Sequence, residues 1–352
     1  MFQNRIVTAA SIVMLVFVVL AACKIAEAVI EPAVFGLFVV ILAWPLQNML
    51  QKRLGKAAAL SLTVVCASAI VLALVSIVMW SAGEVAHWLR QNLDLIQDSL
   101  FSVSAWLERH DISLFALLAE QFSGPALIPR LQAFALRANS ILAFSLIVIV
   151  YVILGLAEAD YFLARISALR NRETSVKLLA CGANIQKKFR SYIYVRTVAS
   201  VATGLATWAL ARYVGLELAL AWGVLAFALN YLPYLGSFIT VVSLPIFALV
   251  QFGTIGAPLM VLLGLMAINF IIGSLLEPAF SGAALSISPP VVLFAIILWT
   301  FLWGPVGAFL GIPLAIAILS AFEQFEPSRW IAALLSSGPP EAVPVYQNED
   351  RV

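Results

Sequence analysis

Ala57–Ser81 reads AAALSLTVVCASAIVLALVSIVMWS, a run of 25 residues without one charged side chain. At about 1.5 Å of rise per residue, a helix of that length more than covers a hydrocarbon core of about 30 Å. The residues just before it, Lys52, Arg53 and Lys56, are cationic. Cations flanking a span mark the cytoplasmic end, so this helix enters from the cytoplasm and leaves on the other side.

Working outward, runs of the same character occupy about 6–23, 29–50 and 139–158. Arg5 precedes the first, and Arg165, Arg170, Arg172, Lys177, Lys187, Lys188 and Arg190 follow the last. All of these read as cytoplasmic. The basic stretch from Arg165 to Arg190 also carries Ile166, Leu169, Val176, Leu178 and Leu179, the pattern of a helix lying on the anionic inner leaflet.

The whole chain agrees. Its 352 residues are 63% hydrophobic and 11% charged, with a mean hydropathy of +1.04, where a soluble domain is about a quarter charged. A soluble fold is excluded, and the expected class is all-α: a polytopic membrane protein of about eight transmembrane helices, with broken or re-entrant segments in its C-terminal half. A net charge of +2 spread over short loops excludes a nucleic-acid partner. Three cysteines, Cys23, Cys66 and Cys181, and two histidines, His87 and His110, fit no metal site, disulfide framework or enzyme signature. No cofactor is expected. Leu20-Ala21-Ala22-Cys23 matches the cut site of bacterial lipoprotein signals, but a multi-span chain needs no lipid anchor, and the run reads as an uncleaved first span.

By alternation, 82–137 lies outside the membrane on the non-cytoplasmic face. Val85, Leu89, Leu93, Ile96, Leu100, Val103 and Leu107 recur at spacings of four and three, which sets them on one helix face. Asp111 is placed to cap a second short helix ending at Ser123-Gly124-Pro125. The seam predicts either a helical hairpin folded on its own membrane domain or an oligomerisation arm; heptad-like spacing does not separate the two.

The candidate chemistry lies further on. No Lys or Arg occurs between Arg212 and Arg329, while 12 of 19 glycines fall between Gly204 and Gly311 and 8 of 16 prolines between Pro233 and Pro313. Helix breaks in an apolar region expose backbone polar groups, which survive only inside protein or beside a water-filled cavity, and transporters use such breaks as substrate sites. Three breaks stand out. The first runs from Asn230 through Tyr231, Pro233 and Gly236 to Ser237, and the second holds Asn269, Ser274, Glu277-Pro278 and Ser281-Gly282. In the third, Gly304, Gly307 and Gly311 are spaced for close helix packing. Glu277, with apolar neighbours and no cation near it in sequence, is either a coupling acid or the end of a span. Arg196, beside Tyr192 and Tyr194, is either its counter-ion or a cation snorkelling to the cytoplasmic surface.

The runs NYLPYLGS (Asn230–Ser237), NFIIGSLLEP (Asn269–Pro278) and LSISPPVVLFAIILWTFLWGPVGAFLGIP (Leu285–Pro313), with YIYVRTVASVATGLATW (Tyr192–Trp208) ahead of them, resemble in order and spacing the autoinducer-2 exporter family of bacterial membrane permeases. The match covers about 190–320. The resemblance implies a homo-oligomeric, pentameric transporter of the cell inner membrane with both termini cytoplasmic. It moves a small molecule or ion through the lipid bilayer by an elevator-like movement of broken C-terminal helices against a scaffold. It divides the chain into helices 1–3 (1–81), the external arm (82–137), helix 4 with the basic segment (138–190), a C-terminal transport unit (191–322) and a cytoplasmic tail (323–352). The implied solute is small and polar, such as autoinducer-2, held by Asn230, Tyr231, Pro233, Gly236, Asn269 and Ser274, with Glu277 as coupling acid. Members are also credited with sodium (lithium)/proton antiport, and a non-transporting scaffold is the remaining alternative. One departure is that Ala279 and Ala283 stand where the family usually has basic residues.

Overall fold

The computed structural model describes residues 2–96, 98–99, 124–276 and 287–337. Leu100, Val103, Leu107, Asp111, Glu277, Ala279, Ser281, Gly282 and Ala283 lie outside these residues, as does 338–352, half of the 323–352 tail.

Within them the regular structure is helical: α1 (Phe2–Ile25), α2 (Glu27–Leu54), α3 (Lys56–Gln91), α4 (Gly124–Ser167), α5 (Arg172–Val214), α6 (Ala219–Leu229), α7 (Leu235–Phe252), α8 (Gly256–Ile271), a π-turn (Ile272–Leu276), α9 (Pro289–Gln324) and α10 (Arg329–Leu335). Among the described residues, seven helical stretches are long and apolar enough to cross a membrane, and Ala10–Ile25 and Ala219–Leu229 are shorter apolar helices. The expected class, an all-α polytopic membrane protein, is the one observed. Two boundaries differ from the sequence expectation. The third helix does not stop near Ser81 but continues to Gln91, because no proline interrupts 82–91. The fourth begins at Gly124, well before 139, where Pro125 occupies a first-turn position that needs no N–H donor.

The chain forms two compact units, Met1–Ala159 with Ile193–Ser281, and Asp160–Tyr192 with Gly282–Val352. The first contains two packed groups of helices. Gly36 and Gly155 bring α2 and α4 together: a Cβ on Gly36 would lie 2.6 Å from Tyr151 Cβ, and one on Gly155 2.7 Å from Val40 Cγ2. Val40, Val148, Val152 and Leu156 form the buried centre, with Leu60 and Val64 of α3 against it. Gln47, fully buried, donates through Nε2 to the Leu156 carbonyl at 3.1 Å.

The second group is α5 to α8. Short turns at Gly215–Leu218, Asn230–Tyr234 and Gly253–Ile255 make successive helices antiparallel, and Gly215 and Gly253 supply the positive φ these turns need (87° and 62°). Trp88, Ala211, Leu216, Trp222, Leu244, Phe247 and Leu265 form its core. The start of the predicted arm seam belongs to it: Ile96 is buried there, and Val85, Leu89 and Leu93 pack against it. Ser99 Oγ donates to the Val250 carbonyl at 3.4 Å. Over the described part, the seam is covered by its own chain. The Trp88 indole donates to the Glu217 carboxylate, and Gln251 accepts from Glu217 N at 3.2 Å while donating to the Gly215 carbonyl at 3.1 Å.

In the second unit, the basic half of α5 meets the end of α9. Lys188 Nζ pairs with Glu323 at 2.9 Å, Asn184 Nδ2 donates to the same carboxylate at 3.5 Å, and Arg329 Nε donates to the Glu323 carbonyl at 3.3 Å. Ser288 N donates to the Leu335 carbonyl at 3.0 Å, which ties the start of α9 to the end of α10.

Candidate functional site

α6 has 11 residues, about 16 Å of helix, roughly half of a hydrocarbon core. It cannot cross. The chain turns back at Asn230–Tyr234 and returns as α7, so α6 and α7 form a hairpin whose tip is the first predicted break. Pro233, which lacks an N–H, helps to end α6, and its carbonyl accepts from Leu235 N at 2.7 Å. That bond closes a γ-turn centred on Tyr234, at φ 61° and ψ −47°, a rare and strained conformation for a bulky residue. Gly236 follows because nothing larger fits: a Cβ there would lie 1.7 Å from the Leu229 carbonyl oxygen.

The tip is fastened to α5 by side chains. Asn230, 7% exposed, donates through Nδ2 to Ser200 Oγ at 3.2 Å. The Tyr231 hydroxyl donates to Thr197 Oγ1 at 2.9 Å, and its ring stacks edge-on against Phe227 with centroids 5.5 Å apart. Next to these bonds the helices touch backbone to backbone: Cβ atoms on Gly204 and Gly223 would lie 2.9 and 3.0 Å from each other's carbonyl oxygens. Paired glycines are how membrane helices approach most closely. Asn230, Tyr231, Pro233 and Gly236 are thus gathered at one tip. Tyr234 is exposed beside them.

Asn269 lies half-buried on α8, and Ser274 is exposed in the π-turn that ends it. Irregular π-turns occur often at functional sites. Neither residue is bonded to the tip among the described contacts. A Cβ on Gly264 of α8 would lie 2.7 Å from a Leu210 methyl of α5, so antiparallel register sets Asn269, five residues further on, near the depth of Thr203 to Thr207. Arg196 is half-buried on α5, one turn before Ser200.

The third break builds a second hairpin. Trp303 (φ −125°, ψ 19°) and Gly304 (φ 59°, ψ −139°) leave helical geometry inside α9. Beyond them a Cβ on Gly311 would lie 3.1 Å from Ile296 Cα, and one on Gly307 1.8 Å from the Trp299 carbonyl oxygen. Residues fifteen apart in a straight helix would be about 22 Å apart, so α9 folds back on itself at Trp303–Gly304. Both tips follow one plan: a proline, then a glycine two or three residues later pressed on a carbonyl of the incoming helix.

The partners of the tip, Thr197 and Ser200, are absent from the predicted site. Their signal was present. In the apolar half of α5, Arg196, Thr197, Ser200, Thr203 and Thr207 fall at helical spacing within an otherwise apolar run.

Comparison with known proteins decides the family: the sequence model of the AI-2E family transporter matches residues 10–326. The chain belongs to the AI-2E transporter family. Among relatives, the AI-2 transport protein TqsA of Escherichia coli (strain K12) is 29% identical over 324 residues, covering 91% of this chain and 92% of that protein. A putative transport protein of Haemophilus influenzae is 26% identical over 91% of this chain and 93% of its own length. One of Borreliella burgdorferi is 28% identical over 65% of this chain and 64% of its own length. Each is named as a transport protein. With the apolar helices already described, membership of the AI-2E family makes the chain a multi-pass membrane transporter.

Proposed function

We propose that this AI-2E transporter exports a small polar solute, such as autoinducer-2, from the cytoplasm across the inner membrane. The first hairpin tip supplies the binding groups. The observation that carries this reading is the buried Asn230–Ser200 pair at the tip of a helix too short to span. An amide with further donor and acceptor capacity, beside a tyrosine hydroxyl and a strained backbone, is what a neutral polar solute requires. Asn269 and Ser274 complete the site, Glu277 couples flux to a proton, and Arg196 is its counter-ion. The broken helices move in an elevator-like step within a homo-pentamer whose termini face the cytoplasm. The name of the relative TqsA supports autoinducer-2 as the first solute to try.

The test is solute flux in vesicles containing the full chain, with and without a proton or sodium gradient. Glu277→Gln is expected to abolish proton-dependent flux while leaving assembly intact, and unchanged flux with unchanged pH dependence removes Glu277 from the mechanism. Sodium- or lithium-driven proton movement without solute flux replaces solute export by antiport. Loss of function on deleting 82–137, with Asn230 and Asn269 variants fully active, replaces it by a scaffold.

A further inference from the structure

Along the apolar half of α5, Arg196, Ser200, Thr203 and Thr207 lie within about 60° of one another at about 100° per residue. This stripe runs between two packed faces. On one side Gly204 and Trp208 meet α6, and on the other Leu210 meets Gly264 of α8. Thr207 is 0% and Thr203 5% exposed, and Trp222 of α6 is also 5% exposed. The register is set by Trp208, whose Cβ would lie 2.7 Å from a Cβ on Gly223, so Thr207 and Trp222 share a depth. Among the described residues, Thr203 Oγ1, Thr207 Oγ1 and Trp222 Nε1 have no hydrogen-bond partner.

Three buried polar atoms without partners on two adjoining helices, two of them at one depth, are unusual. A threonine in a helix ordinarily satisfies itself by donating to the carbonyl one turn back, as Thr240 does to Gly236 at 3.0 Å. Thr203 and Thr207 do not. Buried polar groups without protein partners are the ordinary holders of internal water. The chemistry suits water in particular: two hydroxyls that both donate and accept, and an indole that only donates.

We propose that the junction of α5, α6 and α8 binds a short file of water molecules, held by Thr207, Trp222 and Thr203 and continuous with the Asn230–Ser200 pair at the hairpin tip. Seven residues separate Ser200 from Thr207, about 10 Å of helix, which accommodates about three waters at hydrogen-bond spacing of about 2.8 Å. Ser200 accepts from Asn230 and keeps its own proton to pass the network on. The file ends at Trp222, whose ring packs on Phe247 with centroids 5.4 Å apart in one buried cluster with Ala211, Leu216, Ala219 and Leu244. It hydrates the tip from inside the helix group, whatever solute the tip binds.

The experiment is hydroxyl-radical footprinting in isotopically labelled water, on the full chain in lipid nanodiscs. A tryptophan beside a bound water is oxidised even when buried. Trp88 and Trp303, 7% and 4% exposed, are matched controls, and the Trp88 indole is already satisfied by Glu217. Trp222 is expected to label at least threefold faster than either, and Thr203→Val/Thr207→Val is expected to reduce that to the control rate. Labelling of Trp222 no faster than Trp88 and Trp303 overturns the proposal in the wild-type chain alone. So does a fast rate that the double variant leaves unchanged, since the solvent then arrives by another route.

Discussion

At the scale of single residues, the first tip rests on two positions with little freedom. Gly236 faces a carbonyl oxygen at a distance no Cβ tolerates, so Gly236→Ala must push α7 away from α6. Overpacking of this kind costs about 3 kcal/mol, and a fall of that order in unfolding free energy, or failure to fold, is expected in a denaturation series. Gly256→Ala, where nothing lies within 4 Å, is the control and should change little. Tyr234 is the opposite case. Its positive φ costs about 1–3 kcal/mol, while glycine there would cost about 1 kcal/mol in chain entropy. Tyr234→Gly is therefore expected to raise stability modestly while altering transport, read from melting temperature and vesicle flux together; a clear loss of stability would show that the Tyr234 ring contributes more than its backbone costs. Pro233 and Gly236 were legible in the sequence because those residue types announce a break. Tyr234's conformation was not, since tyrosine gives no sign of φ. Thr197 and Ser200 were missed because a hydroxyl in an apolar helix most often bonds its own backbone.

At the scale of elements, the sequence marked where helices break but not which way they turn. The glycine spacing around Trp303–Gly304 predicts close helix packing, and the structure adds that the break reverses α9, with Gly307 and Gly311 pressed against the incoming arm. Gly311→Ala, against Ile296 Cα, is expected to be milder than Gly307→Ala, against the Trp299 carbonyl, in the same denaturation series. The apolar seam from Val85 was equally half-legible, because periodicity gives a face without naming what covers it. Up to Ile96 the cover is the chain's own α6–α8 group. In the other unit, Cys181, Asn184 and Lys188 share one face of α5, and Cys181 is buried beside the Lys188–Glu323 pair. The pair is partly exposed and worth about 1 kcal/mol at most. Lys188→Ala is expected to accelerate maleimide labelling of Cys181 several-fold without unfolding the chain, and an unchanged rate would show that the pair does not hold this contact.

At the scale of the whole molecule, the fold class followed from hydropathy and charge distribution. An apolar run of 25 residues leaves few alternatives, and 12 of 19 glycines in one stretch locate the broken helices. The two compact units were not legible: Asp160–Tyr192 joins Gly282–Val352, and Ile193–Ser281 joins the N-terminal half. Such a partition follows from long-range contacts, to which local composition is blind. It leaves the first hairpin in one unit and the second in the other.

The central claim is that the Asn230 tip is where solute binds. The most direct measurement is flux of autoinducer-2 into or out of proteoliposomes containing equal amounts of wild-type chain, Asn230→Ala and Tyr231→Phe. On the proposed reading Asn230 bonds both Ser200 and solute, and removing such a buried amide forfeits about 1.4 kcal/mol or more, so Asn230→Ala is expected to lower flux at least tenfold at unchanged incorporation and oligomeric state, with Tyr231→Phe intermediate. Flux in Asn230→Ala equal to wild type, at matched incorporation, would contradict the account and move the site away from the first hairpin.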